Sequence, residues 1–585
     1  MADTHQSNVS LGPGSQPVVN GHGSKQTKPH ENEWYNQDFD GYRVSEQPFA
    51  TRRKIRIVCV GAGAAGLQMA YKMERKLEDV EFQIYEKNKD VGGTWLENRY
   101  PGCECDIPSH SYQFSWARNP DWSRFYSAGE EIWRYFKGIA VKYDLEKYVK
   151  FEHKVSLASW NEDKGKWDLT IITPDGSELH DECEVLANCS GILNSWKWPD
   201  IPGISEFKGP MLHSAAWDQS QQFAGKRVAV IGGGSSAVQI IPALQKTAKK
   251  LIPFLRSPVW ITTGFAAKLA GPNGTNFSYS DEQRAEFHTD PKKYDDYCRT
   301  VEGELNKRFS LVQVDHQDQK VSRGIVADMM RKRLGNDAKL CEKLIPDYAL
   351  GCRRLTPGVS YLESLTQENV DVQFKGAARF TPNGVVDDDG FEHEVDVIVC
   401  ATGFDTNFAP HFTVIGRDRR DLKDEWDVMP KGYMSIMADG YPNLYFFVGP
   451  NGPVSHSSTL PTFEWHTRYM FRMIKKMQTE GIKAYDPKPE AVRDFYNHTH
   501  EMMKRTAWSA PCRSWFKNGK VHGPTVAVWA GSRLQYFEAL KEVRYEDFNI
   551  TYLTNNRFQY FGNGYTHNEI DPDGNSTWYF DDPDL

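Results

Sequence analysis

Two glycine-rich turns carry the first chemical signal in this sequence: Gly61-Ala62-Gly63-Ala64-Ala65-Gly66 and Gly232-Gly233-Gly234-Ser235-Ser236-Ala237. Each follows an apolar run, Ile55 to Val60 or Arg227 to Ile231, and opens a helical stretch. That context is the one in which such a turn cradles a pyrophosphate. Gly61 permits the tight turn, Gly63 lets phosphate approach the backbone, and Gly66 lets helix and strand pack closely. Ala65 lies in the first turn of a helix whose N-terminal N–H groups face the phosphates, a stabilisation of about 0.3–1 kcal/mol per charge. Glu86 stands 25 residues after Gly61. Its carboxylate accepts from a ribose 2′-hydroxyl and repels a 2′-phosphate, so this site takes FAD or NAD, not NADP. In the second turn the same count from Gly232 reaches Ser257, with Arg256 before it. Arg256 offers a fork of donors to a 2′-phosphate, each bond worth about 1.5–3 kcal/mol. That favours NADPH over NADH by about tenfold to a few hundredfold. A solvated arginine is the competing reading. Ala237 replaces the third glycine, where a small residue suffices, and the NADP site runs on through Val238 and Gln239.

The elements that must position these turns follow an α/β pattern. The expected fold is two Rossmann-like dinucleotide-binding domains, for FAD and NADPH, with a helical insertion in the NADPH domain. Residues 1–33, rich in Ser, Gly, Gln and Asn, read as a disordered tail. Trp34 to Ala50 brings aromatics back and is expected to lie across a domain surface. The first part of the FAD domain spans 34–196, the NADPH domain 197–392, the second part of the FAD domain 393–540, and a C-terminal extension 541–585. The insertion, about 265–345, is charged and helix-rich; Ser280 with Gln283 forms a capping box. Its Met and aromatic residues are expected in the core.

At 585 residues, with 13% aromatics and seventeen Trp, the chain can build two or three packed cores. A net charge of -8, dispersed along the chain, gives no global attraction to nucleic acid or anionic lipid. Arg256 and Lys268 interrupt the longest apolar run, and the N-terminus lacks signal-peptide features, so a cytoplasmic protein without a membrane span is expected. Ten cysteines without a C-x-x-C argue against a disulfide framework, a zinc site or a redox dithiol beside a flavin. No metal is expected.

Between the turns lies Phe207 to Asp218, F-K-G-P-M-L-H-S-A-A-W-D. It resembles the F-x-G-x-x-x-H-x-x-x-W-[P/D] signature of type I Baeyer–Villiger monooxygenases, with Phe207, Gly209, His213, Trp217 and Asp218 at the specified positions. Gly92-Gly93-Thr94-Trp95, Arg99-Tyr100-Pro101-Gly102, Gly351-Cys352-Arg353-Arg354 and Ala401-Thr402-Gly403 match further family motifs in order. The resemblance covers about 55–535. It implies that Thr94, Trp95, Leu96, Glu97, Asp106 and Tyr112 line FAD, with Val155 at its adenine. Glu104, Cys105 and Asp106 would face the nicotinamide, Arg353 would help hold the 2′-phosphate, and Trp515 would sit on a loop closing over NADP. His213, read on its own as a structural histidine, takes a coupling role with Trp217 at the hinge between domains.

The implied reaction inserts one oxygen of O2 beside a ketone carbonyl, giving an ester or lactone through a flavin C4a-peroxide. Arg354, oriented by Asp106, would stabilise the developing oxyanion. The long N-terminal extension and the insertion resemble fungal secondary-metabolite members. The partners are then a small-molecule ketone and O2. The alternatives are a flavin monooxygenase acting on nitrogen or sulfur, and a redox sensor holding nucleotides without turnover. The N- and S-oxygenating enzymes usually lack Trp217-Asp218 and the Arg353-Arg354 pair.

Overall fold

The computed structural model describes residues 37–581. The tail expected at 1–33, with Trp34 and Tyr35, lies outside the described residues. A first sheet runs parallel in the order Leu444–Phe446, Val185–Asn188, Ile55–Val60, Val80–Tyr85, Val149–Lys150. Its central strands are covered on both faces, which is why Ile55–Val60 is almost continuously apolar. The helix Ala64–Lys76 then buries Leu67, Met69, Ala70 and Met73.

The second sheet is also parallel: Lys250–Phe254, Arg227–Ile231, Val397–Cys400, Met211–His213. The place of Val397–Cys400 corrects the domain boundary expected between 392 and 393. That strand lies between two strands of the second sheet, so the chain leaves this unit only after it. A V-I-V-C run is equally suited to either sheet, and only its long-range partners decide. The second unit is thus a contiguous insertion into the first, which resumes when Thr413–Ile415 pairs with Lys154–Asn161.

The two glycine turns are built alike. Gly61 has φ +107° and a Cβ there would stand 2.8 Å from the Cys189 carbonyl oxygen; Gly232 has φ +120°, and its Cβ would stand 2.4 Å from that of Ala401. They differ at the third position. A Cβ on Gly66 would fall 2.1 Å from the Gly61 carbonyl oxygen, whereas Ala237 is accommodated fully buried in its helix, Ser235–Gln245.

Four α-helices occupy the insertion, Asp281–Thr289, Pro291–Asn306, Gln317–Arg333 and Ala338–Leu344, and Ser280 and Gln283 close a capping box. The insertion does not belong to the second unit alone. Phe287, Tyr294, Cys298, Val301 and Leu305 join the first unit's core, while Met330, Leu334 and Leu344 join the second's. It therefore spans the two units over the face that holds the site. Beyond 540, Phe548–Tyr552 pairs antiparallel with Ile482–Pro487. The extension also accepts the Phe49 and Ala50 N–H groups on the Tyr565 and Tyr560 carbonyls.

Cysteine usage argues against disulfides, yet Cys352 and Cys512, 160 residues apart, are bonded. Sequence spacing carries no information about so distant a pairing, which depends on where folding brings the two Cα atoms. Among the described residues no helix is long and apolar enough to cross a membrane.

Candidate active site

A cavity of about 530 Å³ opens at the C-terminal ends of the first sheet. Gly61, Gly63 and Ala65 of the first turn line it, with Glu86, Thr94, Trp95, Glu97, Tyr112, Val155, Arg354 and Trp515. Gly66 is packed behind the turn; Leu96 and Asp106 do not reach the cavity wall. Gly63 and Gly93 face each other so closely that a Cβ on Gly93 would lie 3.1 Å from the Gly63 Cα, leaving a slot walled by bare backbone. Glu86 is buried, its Oε2 accepting from the Ala62 N–H at 2.7 Å and Oε1 from the Asn88 N–H at 2.8 Å. Burial raises its pKa and these two bonds pull it back. The Trp95 indole donates to the Tyr112 hydroxyl at 3.0 Å, fixing an aromatic wall. Backbone slot, carboxylate and aromatic wall fit a dinucleotide that carries no 2′-phosphate.

Arg354 stands at the inner end of this cavity. Its Nη2 donates to both carboxylate oxygens of Asp106, at 2.9 and 2.8 Å. The Asp106 charge holds the guanidinium protonated against the cost of burial. Nε and Nη1 have no protein acceptor among the described residues, so their hydrogens remain available to an incoming oxygen.

At the second turn, Arg256 and Ser257 are exposed just past the strand Lys250–Phe254. Arg353 Nη1 donates to the Pro258 carbonyl at 3.3 Å, bringing a second guanidinium to the same corner. Gly233 and Ser257 share the wall of a small hollow there. Gly234, Ser235 and Ser236 open the helix, and Val238 is core. Gln239, expected at the nucleotide, bridges the units: its Oε1 accepts from the Tyr100 hydroxyl at 2.9 Å and its Nε2 donates to the Glu104 carbonyl at 2.8 Å. The Glu104 carboxylate accepts from Asn276 at 2.6 Å and lies 3.4 Å from Arg124; burial raises its pKa. Cys105 is buried, which pushes its thiol well up.

In the linker, Gly209 is obligatory because a Cβ would meet the Asp396 carbonyl at 2.6 Å and the Phe207 ring at 2.7 Å. His213 is fully buried and stacks on Trp196 at 4.5 Å. Its Nδ1 accepts from the Ala215 N–H at 3.1 Å, so Nε2 donates to Thr402 Oγ1 at 3.2 Å. Burial lowers its pKa to about 4. His213 and Trp217, which the sequence pairs in a coupling role at the hinge, face different neighbours. Trp217 packs on Phe223 in the second unit's core, because the chain turns directly after the strand Met211–His213. Asp218 accepts from the Ser220 N–H and hydroxyl at the surface.

Sequence reasoning missed Arg308, His456, Trp508 and Arg533, which line a second, narrower cavity on the other side of Arg354. They come from four separate segments and carry no local motif.

Two nucleotide turns, one with a carboxylate and one with arginines, and a charged Arg354–Asp106 pair between them define a two-nucleotide flavoprotein oxidoreductase. Comparison with known proteins agrees. The description "FMO-like, flavin-binding monooxygenase-like" matches residues 53–269. The chain is 42% identical to the FAD-binding monooxygenase tazF of Aspergillus terreus, over 91% of this chain and 95% of that protein. It is 31% identical to a Baeyer-Villiger monooxygenase of Streptomyces coelicolor, over 85% and 92%. Among solved structures, cyclohexanone monooxygenase from Rhodococcus sp. Phi1 bound to NADP+ superposes with a TM-score of 0.74 at 25% identity, over 86% of this chain and 100% of that one. The chain belongs to the flavin-binding monooxygenases of Baeyer–Villiger type.

Proposed function

We propose that the protein is an FAD- and NADPH-dependent monooxygenase that converts a ketone, O2, NADPH and a proton into an ester or lactone, NADP+ and water. The observation that carries this reading is Arg354 on the wall of the first nucleotide cavity, held from behind by its ion pair with Asp106. Bound flavin and nicotinamide would supply electron transfer and oxygen activation. The protein's part is to bind, orient and polarise. Glu86 and the Gly63–Gly93 slot hold the first nucleotide, while Trp95, Tyr112 and Val155 form its apolar wall. Arg256 and Arg353 meet the 2′-phosphate of the second.

Arg354 acts on the ketone. Attack on a carbonyl carbon moves negative charge onto its oxygen, and the free Nε and Nη1 hydrogens answer that charge in a site where it is worth far more than in water. Asp106 fixes the guanidinium plane and keeps it charged. The ketone class we propose is a secondary-metabolite ketone, supported by the long match to the Aspergillus terreus relative. The test is oxidation of a panel of cyclic ketones by the purified yellow protein under 18O2 with NADPH. One labelled oxygen in a lactone is expected; oxygenation of amines or thioethers alone would overturn the reading.

A further inference from the structure

The cavity beyond Arg354 holds three guanidinium groups, on Arg308, Arg354 and Arg533. Two are answered by carboxylates: Arg354 by Asp106, and Arg533 by Glu302, with Asn306 Oδ1 also accepting from it at 2.6 Å. Arg308 has no carboxylate within 4.0 Å and no side-chain hydrogen bond among the described residues. It sits at the end of the helix Pro291–Asn306, its guanidinium carbon 5.5 Å from the Phe265 ring centroid. Burial presses its pKa down, with Glu304 and the Tyr126 hydroxyl the groups that oppose this. Glu304 itself faces Lys268 at 3.9 Å, and Tyr126 donates its hydroxyl to the Phe265 carbonyl at 2.6 Å.

An aromatic face attracts a cation but accepts none of the guanidinium's five hydrogen bonds. A half-buried, unpaired cation is costly to keep, so one in a cavity is matched to a ligand that completes it. The same wall supplies a complementary acceptor. His456 Nε2 donates to the Gly531 carbonyl at 2.7 Å, which leaves Nδ1 as a lone pair, buried and unpartnered. The neighbouring Ser457 hydroxyl is likewise buried without a partner. Donors for an oxyanion and an acceptor for a hydroxyl thus line one cavity with the residue that polarises the ketone.

We propose that Arg308 anchors an acidic oxygen of the ketone substrate, a carboxylate or an ionised phenol, while His456 Nδ1 accepts from a neighbouring hydroxyl of the same molecule. The inference rests on the Baeyer–Villiger reading for its reaction and adds the substrate class: a ketone carrying an oxygen acid, not a plain cyclic hydrocarbon ketone. Arg308 is a specificity residue and Arg354 the polarising one.

The test uses the full-length, FAD-loaded enzyme and two matched pairs: 3-oxocyclohexanecarboxylate with its methyl ester, and 6-hydroxy-1-tetralone with 6-methoxy-1-tetralone. One or two charge-assisted bonds predict an acid-over-neutral ratio in kcat/KM of about tenfold to a hundredfold for at least one pair. The pair that responds tells carboxylate from phenol. Arg308→Met should abolish the ratio, mainly through KM for the ketone, and Arg308→Lys should restore part of it. Equal use of acid and neutral members by the wild type would overturn the inference while leaving the reaction class standing. So would an Arg308→Met effect on KM for NADPH in place of the ketone. If no ketone is oxygenated, flavin absorbance titrations of the oxidised protein still decide: tighter binding of the acid than of its ester, lost in Arg308→Met, keeps the anion site, and equal binding removes it.

Discussion

Arg354 and Asp106, 248 residues apart, meet through one guanidinium nitrogen that donates to both carboxylate oxygens. Arg354 lines the cavities on either side, and its Nε and Nη1 have no protein acceptor among the described residues. Arg354→Ala should retain FAD and be reduced by NADPH, yet lose about 10²–10³-fold or more in ketone-dependent turnover. Stopped-flow reduction followed by product analysis separates the two. Asp106→Asn should lower kcat as well, because the orienting charge is gone; unchanged turnover in either variant would remove the pair from the chemistry.

Nucleotide choice should follow the arginines at the second turn. Arg256→Ala and Arg353→Ala are each expected to reduce the NADPH-over-NADH preference in kcat/KM by about tenfold to a hundredfold, chiefly through KM for NADPH. Parallel losses with both nucleotides would place these residues elsewhere.

The third glycine distinguishes the two sites. Gly66→Ala puts a methyl group 2.1 Å from the Gly61 carbonyl oxygen, so strand and helix must separate. Lower flavin content and a loss of about 1–3 kcal/mol are expected. Ala237→Gly should leave flavin content alone and cost about 0.5–1 kcal/mol through helix propensity. Thermal melts with flavin quantified in parallel check both.

Several histidines are buried as neutral rings. Burial lowers the pKa of His110 and His466 to about 3 and of His456 to about 4, against about 6.5 unfolded. Between those values the unfolded chain binds more protons, so stability rises with pH there. It is full above pH 6.5 and falls as the pH drops toward 3–4. Melting temperatures recorded from pH 7.5 to 4.5 should decline, and His466→Gln should flatten the slope. A flat wild-type profile would contradict the burial described here.

The bond between Cys352 and Cys512 closes a loop of 160 residues, and losing it should cost about 2–5 kcal/mol. Cys512→Ser, or reduction with dithiothreitol, is expected to lower the melting temperature. Thiol titration of the denatured, unreduced protein should find eight reactive cysteines, the number free in the structure, and ten after reduction.

What the sequence made legible was what local chemistry dictates. Gly61, Gly66 and Glu86 act within one strand-turn-helix-strand unit, so their spacing alone places them. Arg354 and Asp106 were legible only through motifs in register, since nothing near either residue points to the other. Arg308 and His456 left no trace, because their meaning arises where the insertion folds back over the first unit. Val397–Cys400 misled for a related reason: a strand covered on both faces does not record which sheet covers it.

The disulfide also changes what kind of object the molecule is. Cys352 belongs to the inserted unit and Cys512 to the enclosing one, so beyond the two places where the chain crosses between the units there is a third covalent link. The bond adds a covalent tie to the contacts already made by Gln239, Tyr100, Arg354 and Asp106, one that lasts only while its two sulfur atoms stay oxidised.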